Sequence, residues 1–380
     1  MPESGPAPAG AQSTARRSPF ADALRGFALV GICVVNLPWI ASSPPGDSSA
    51  LDGAARLLVL ALFEGKFFVL FSLLFGFGFQ RQLERVRAGR ATPSSYARRL
   101  VGLFVLGGLH ATLLYVGDIL TAYALLGAVL WAVRDLPDRR LLAIAGGCVA
   151  VAAVAFALLS WGGSDGGGGE GAAAREAARQ AYLGSFAQAL NQRLEDLPFG
   201  LLIVLLFNWP LAFAAFCAGV VAGRRGLLDD PARLARALPP VPLLAAGAVV
   251  GNIASAAAYR LPGGWPSGGA GALLAVGAPC LSALYLLALA RAWRAPRARA
   301  FMERWLAPAG RMSLSNYLGQ SLLANLLFMG WGFGLYGSLG AAALLPASLA
   351  IAAAGLVASR FWLRRFRAGP AERLLRAWAR

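Results

Sequence analysis

Ten apolar runs, each close to the length that a helix needs to cross lipid, divide this chain from near its start to near its end. They fall at 20–40, 57–79, 100–116, 117–134, 141–161, 197–222, 241–259, 268–290, 312–333 and 338–362. About 20 mostly apolar residues span the roughly 30 Å hydrocarbon core of a bilayer. With 58% hydrophobic and 14% charged residues, the chain is too apolar for one soluble core of its length. The expected fold is all-α: a polytopic transmembrane helix bundle of about ten spans.

The net charge of +17 superficially suits nucleic acid, yet the arginines sit in alternate loops. Arg81, Arg85, Arg87, Arg90, Arg98 and Arg99 follow span two, and Arg134, Arg139 and Arg140 follow span four. Arg224, Arg225, Arg233 and Arg236 follow span six, Arg291, Arg294, Arg297, Arg299 and Arg304 span eight, and Arg364, Arg365 and Arg367 span ten. The other loops hold only Arg56, Arg175, Arg179, Arg193 and Arg260. This is the positive-inside pattern of ten spans with both termini cytoplasmic, as in a bacterial inner-membrane protein. No soluble module presents the basic clusters to nucleic acid, so membrane lipids and not nucleic acid are the expected partners.

Residues 1–19 are rich in Pro, Ser and Ala and read as a disordered cytoplasmic N-terminus; Arg16 and Arg17 flank an uncleaved signal anchor. Residues 20–362 form the membrane domain, and 363–380 a basic tail expected along the inner leaflet. One extracytoplasmic loop is long, 162–196, opening with Gly166 to Gly169. In it Tyr182, Phe186, Leu190 and Leu194 recur every four residues, as in a single amphipathic helix on the membrane surface or over a cavity. The four cysteines lie in spans without CxxC spacing and read as packing residues.

A charge inside a span costs roughly 2.5–3.5 kcal/mol on insertion scales, so the few that remain are functional candidates. Span one carries Asp22, Arg25 and Asn36; Asp22 and Arg25, three apart, can pair on one face, and Asn36 continues that stripe three turns on. Span two carries Glu64 and Lys66, the only lysine. At i, i+2 they do not face each other, so each calls for a partner on another span, and Gly65 between them permits a kink. Span three carries His110, the only histidine. No multi-histidine metal site exists, and no metal or tightly bound cofactor is expected. Asp118 follows in a short turn, either capping span four or orienting His110, the latter only if the hairpin folds back. Span nine opens with Arg311, after which Ser313, Asn316, Tyr317 and Gln320 share neighbouring positions of one face, as polar glue or a binding surface. Topology puts Asp22, Arg25, Arg311 and Asn316 near the cytoplasmic end and Asn36, Glu64, Lys66, His110 and Asp118 in the outer half.

These same stretches carry a resemblance. Asp22 to Phe27 with Asn36, Phe63 to Phe68 followed by Leu70 to Gly76, Gly108-Leu109-His110 with Gly117 to Leu120, Gly310 to Tyr317 and Phe366 to Glu372 resemble the YeiB-like family of bacterial membrane proteins, domain of unknown function 418. Tyr182 to Phe186 with Arg193 fits as well. The family is similar at a remote, fold level to membrane acyltransferases that take acyl-CoA from the cytoplasm and rely on a membrane-embedded histidine, a likeness that does not fix function.

The leading expectation is transmembrane acyl transfer. Acyl-CoA would serve as co-substrate, its anionic parts held by Arg25 and Arg311 with Asp22, Asn316, Tyr317 and Gln320 completing the donor site. His110 would be the general base, oriented by Asp118; Asn36, Glu64, Lys66 and Arg193 would position a small-molecule, lipid or glycan acceptor. The rival is a proton-coupled transporter or flippase using the same charges. A purely structural subunit would need none of them. P-loop, zinc-hydrolase and serine-elbow signatures are missing, and the oligomeric state is not legible.

Overall fold

The computed structural model describes residues 17–42, 49–162, 170–258 and 269–379. Residues 1–16 of the expected cytoplasmic N-terminus, the glycines 166–169 and Arg260 lie outside the described residues. Among the described residues the chain is helical with no strand. The helices are α1 (Pro19–Ala41), α2 (Ala50–Leu62), α3 (Lys66–Arg87), α4 (Pro93–Leu113), α5 (Leu120–Ala132), α6 (Asp138–Gly162), α7 (Glu170–Tyr182), α8 (Phe186–Ile203) and α9 (Trp209–Arg224). They continue as α10 (Pro231–Ala237), α11 (Val241–Ala258), α12 (Gly269–Ala292), α13 (Pro296–Phe301), α14 (Ala307–Arg311), α15 (Ser313–Phe328), α16 (Ala341–Arg365) and α17 (Pro370–Trp378). One π-helical turn joins α8 to α9 and another joins α13 to α14.

The outer surface is what lipid requires. Val151, Val154 and Leu158 of α6 are each more than half exposed, and Val101, Phe104, Val105 and Leu109 form a similar stripe on α4. Contiguous apolar surface of this extent is not kept in water by a monomeric soluble protein. Among the described residues five helical stretches, α2 and α3 together counting as one, are long and apolar enough to cross a membrane, seven if two bent pairs each count as one. Every apolar window of the sequence is occupied by helix, but α5, with 13 residues, and α15, with 16, reach only about 20 and 24 Å at 1.5 Å per residue. The chain is a multi-pass, all-helical membrane protein.

α1 forms the axis, packing against α3, α14, α15 and α16. Its contact with α14 is backbone to backbone: a Cβ at Gly26 would run into the Leu306 carbonyl, and one at Gly310 into the Asp22 carbonyl. Small residues are the usual means of bringing helices this close in lipid, where no hydrophobic effect drives association. α3 lies along α9, where the Phe75 and Phe216 rings stack at 4.6 Å and Ser72 meets the Tyr123 hydroxyl at 2.6 Å.

One expectation is corrected, and the break allowed at Gly65 is present. The long loop is not one amphipathic helix: α7 stops at Tyr182, and Ser185 starts α8 with a capping box closed by Gln188. α8 then runs on past residue 196 into the segment read as span six, so no element ends there. Of the four apolar positions Tyr182 is buried, whereas Phe186 and Leu194 remain exposed. Span two is broken, with Gly65 at φ +82° between α2 and α3, a conformation that glycine adopts without strain.

Gly26→Ala and Gly310→Ala should each lower the thermal midpoint of the detergent-solubilised protein markedly. Gly108→Ala and Gly319→Ala, whose added methyls meet nothing within 4 Å, should leave it unchanged. Equal midpoints for all four would refute the close α1–α14 contact.

Candidate functional site

α4 and α5 form a hairpin whose turn lies inside the bundle. His110 is on the last turn of α4 and Asp118 just ahead of α5; both are buried, 2% exposed. The hairpin folds back, and His110 Nδ1 lies 2.8 Å from Asp118 Oδ1. The second oxygen of Asp118 accepts from the Thr121 backbone N–H at 2.9 Å and from its hydroxyl at 3.1 Å. One carboxylate thus does both tasks left open by the sequence: it caps α5, where the helix dipole favours negative charge, and it holds the imidazole. With Asp118 ionised, the bond assigns the ring proton to Nδ1 and leaves the Nε2 lone pair free. Nε2 is buried and has no hydrogen-bond partner.

The end of α4 leaves backbone carbonyls with no partner in their own helix. Arg193 of α8, 2% exposed, donates to the Leu113 carbonyl at 2.9 Å and to the Asn325 side-chain oxygen, while Asn325 donates to the Leu114 carbonyl at 2.9 Å. The Tyr182 ring packs against the Arg193 guanidinium at 5.6 Å, and its hydroxyl donates to Asp196 at 2.6 Å. Arg193, expected at the acceptor site, serves here as the clamp that fixes the turn carrying His110. Asn325 was overlooked in the sequence; its signal is an asparagine within an apolar run.

A similar solution closes the α2–α3 break. Lys66 Nζ donates at 2.7 Å to the Leu60 carbonyl, freed by the end of α2, and Tyr285 Oη donates to the Leu62 carbonyl at 2.7 Å. Lys66 therefore finds its hydrogen-bond partner on its own segment and not on another span, because the break exposes carbonyls nearby. Glu64, half-buried, lies within electrostatic reach of Lys66 and of Tyr115, which in turn senses Asp118. Glu64, Lys66, Tyr115, Asp118 and His110 thus share one end of the bundle.

The polar face of α15 divides. The Tyr317 ring packs on His110, centroids 4.8 Å apart, and its buried hydroxyl lies beside the Ile119 backbone N–H. Tyr317, expected at the donor site, belongs geometrically with His110. Gln320 donates to the Leu29 carbonyl at 3.3 Å and, with Asn36, Tyr317 and Ser321, lines a cavity of about 10 Å³, room for about one water. Asn316 turns instead to α16, donating to Ser359 at 2.7 Å, beside a cleft of about 280 Å³ between α15, α16 and Pro370.

At the opposite end Asp22 accepts from Arg25 at 2.9 Å and Arg17 at 2.5 Å, so the expected Asp22–Arg25 pair is present with a third member. Arg311 lies within electrostatic reach of Asp22, Arg17 and Arg376, and its Nε is buried without a partner. Glu372 of α17 caps α15, accepting from the Leu314 and Ser315 N–H groups at 2.8 and 3.2 Å. Asp52 likewise accepts from Ala342 N–H at 2.9 Å in the first turn of α16. Arg81 meets Asp229, and Arg224 reaches Asp138 at 3.1 Å, tying the arginine-rich loops together. Among the described residues no three His, Cys, Asp or Glu side chains converge as a metal site.

Curated relatives match nearly the full length of the chain. YxaH of Bacillus subtilis (strain 168) is 32% identical over 381 residues, covering 94% of this chain and 92% of its own. The chain belongs to the DUF418 family. Its family model, "Protein of unknown function (DUF418)", matches residues 222–380. YeiB of Escherichia coli (strain K12) is 30% identical over 376 residues, 93% of this chain and 94% of its own. An uncharacterized 39.9 kDa protein in the amylase 3' region of Bacillus acidopullulyticus is 33% identical over 110 residues, 29% of this chain and 32% of its own. No solved structure matches the DUF418 chain.

Asp118→Ala should destabilise the protein by about 1 kcal/mol or more, from the lost cap and the unpaired histidine, whereas Asp118→Asn keeps a capping oxygen and should lose less. Thermal unfolding in detergent followed by tryptophan fluorescence reads the difference. Identical midpoints would remove the cap from the account.

Proposed function

We propose that this protein is an inner-membrane acyltransferase in which His110 is the general base on the hydroxyl or amine of an acceptor. The observation that carries the reading is the buried His110–Asp118 pair with an unpartnered Nε2. A neutral imidazole held by a carboxylate at one nitrogen takes a proton at the other as the acceptor attacks the thioester carbonyl of the donor; Asp118 stabilises the imidazolium so formed, the C–S bond breaks, and the proton passes to the CoA thiolate that leaves. The empty hydrogen-bonding capacity of His110 Nε2 is what a substrate hydroxyl or amine would fill. Asn36 and Gln320, at the neighbouring cavity, and Glu64 and Lys66, at the broken helix, would orient the acceptor.

The donor would enter from the arginine-bearing end, the cytoplasmic side by the charge rule. Arg17 and Arg376 both lie near Arg311, consistent with both termini on that side. Arg99 and His110 are eleven residues apart on α4, about 16 Å along its axis. A donor anchored by its charged head among the arginines must therefore carry its acyl group on a flexible arm, as acyl-CoA does. Asp22, Arg25 and Arg311, with Asn316 nearby, would hold that head.

His110→Ala should abolish acyl transfer from radiolabelled acetyl-CoA into membrane lipid or glycan while leaving the protein inserted and folded. Retained transfer would sink the assignment. Acetyl-CoA should also raise the thermal midpoint of the wild type saturably and fail to do so for Arg25→Ala and Arg311→Ala.

A second reading, proton-coupled transport, is favoured by one observation: α2 and α3 are halves of a broken helix with Glu64 and Lys66 at the break, an arrangement suited to ion or substrate sites within a membrane. Under transport, Lys66→Met should abolish uptake or proton flux in proteoliposomes and His110→Ala should only slow it. Under acyl transfer, no flux is expected from the wild type.

A further inference from the structure

Several basic side chains at the arginine-rich end have carboxylate partners, and most of those without one are exposed. Arg81 lies against Glu84 and Asp229, Arg87 bonds Asp135 at 2.6 Å, and Arg224 and Arg225 share Asp138. One group does not balance. Arg25 from α1 interacts with Asp22 and Arg17; Arg99 from α4 with Arg25 and Arg376; Arg311 from α14 with Arg17, Asp22 and Arg376 from α17. Within electrostatic reach of one another, Arg25, Arg99, Arg376 and Arg311 form a chain whose ends, with Arg17, lie by Asp22; the other carboxylate nearby, Glu372, is engaged in capping α15.

The packing holds the cluster in place. α1 and α14 touch through Gly26 and Gly310, and α17 lies on α4, where a Cβ at Gly102 would come within 2.7 Å of Leu375 and 3.0 Å of Trp378. The Glu372 cap fixes α17 to the start of α15, and Arg98 reaches the Ala379 carbonyl at 3.4 Å. Asp22 is already bonded to Arg17 and Arg25, and Arg99 to Gln82 at 2.8 Å. Among the described residues, Arg311 and Arg376 have no carboxylate within ion-pair distance, and Arg311 Nε is buried with no acceptor at all.

Clustered like charges repel, strongly so where lipid and protein keep water away, and a multivalent anion relieves that repulsion. Guanidinium groups are the side chains best matched to phosphate, which they bind through paired N–H donors. We infer that Arg25, Arg99, Arg311 and Arg376 form a binding site for a phosphate or diphosphate group, completed by the C-terminal helix α17. The proposal deepens the donor site of the acyl-transfer reading and stands without any chemistry at His110. The group could belong to a soluble donor or to a lipid headgroup at the membrane surface; both present the same oxyanions. α17 supplies an exposed arginine from the chain's last helix, so its docking on α4 and α15 decides whether the site is whole.

The test is calorimetric titration of the full-length protein in detergent with inorganic pyrophosphate, at fixed moderate salt. Saturable binding is expected, weakened roughly tenfold or more in Arg376→Gln and in Arg99→Gln, each of which loses a charge-assisted contact. Arg373→Gln, whose guanidinium lies over the Phe366 ring and not beside Arg99 or Arg311, should bind as the wild type does. Because Arg376 is exposed, its variant should fold normally, which its thermal midpoint without ligand verifies. Titration in phosphatidylcholine nanodiscs with and without phosphatidylglycerol separates the sources: pyrophosphate binding suppressed only by phosphatidylglycerol assigns the site to a lipid phosphate, and unsuppressed binding to a soluble one. No saturable binding of pyrophosphate or of phosphatidylglycerol would overturn the proposal, as would equal losses in Arg373→Gln and Arg376→Gln, which mark only a diffuse positive field. His110→Ala should keep pyrophosphate binding. Binding intact in a wild type that transfers no acyl group would sink the enzyme reading and leave the site standing.

Discussion

A backbone carbonyl or N–H left open inside a bilayer has no water to turn to, and its unmet hydrogen bond costs several kcal/mol. Helices that run unbroken through the membrane never meet the problem. This protein breaks its helices within the bundle at Glu64-Gly65 and at the 114–119 turn, and much of its polar chemistry is the answer to those breaks. Lys66 and Tyr285 cover the end of α2, and Arg193 and Asn325 cover the end of α4. Asp118, Glu372 and Asp52 cover the starts of α5, α15 and α16. A charge that would be costly in lipid becomes tolerable when it sits at a helix end whose dipole has the opposite sign.

The same constraint builds the candidate site. His110 sits beside Asp118 because α4 ends three residues after it and α5 starts again after a six-residue turn. That turn is held from one side by α8, through Arg193, and from another by α15, through Asn325 and Tyr317. α8 and α15 therefore act on the histidine without supplying its hydrogen bond. The site is made where four helices converge, each bringing one polar group to a place where the backbone is open.

The two ends of the bundle differ in kind. Around His110 the groups are buried and bonded largely to backbone, leaving the Nε2 atom of His110 itself without a partner. Around Arg311 the charges are partly exposed and do not balance. A buried base at one level and an unneutralised cationic cluster at another, about 16 Å apart along α4, suit a long ligand with an anionic head and a reactive far end.

Hydrophobic run length and arginine placement determine the class of this protein from sequence alone, because lipid allows only helices or closed barrels and the charge bias sets their orientation. The intramembrane charges also stand out there, since each is costly and so must have a reason. The Asp22–Arg25 pair was legible because helical spacing fixes neighbours three residues apart. What only the tertiary structure decided is which polar groups meet. His110 and Asp118 lie eight residues apart in sequence and touch because a hairpin folds back; Tyr317 leaves its helix-mate Asn316 because adjacent residues on a helix point about 100° apart. Arg193 and Asn325, 132 residues apart, meet over the same helix end. Spacing along one helix is a property of the helix, whereas the satisfaction of an open carbonyl is a property of whatever the fold brings beside it.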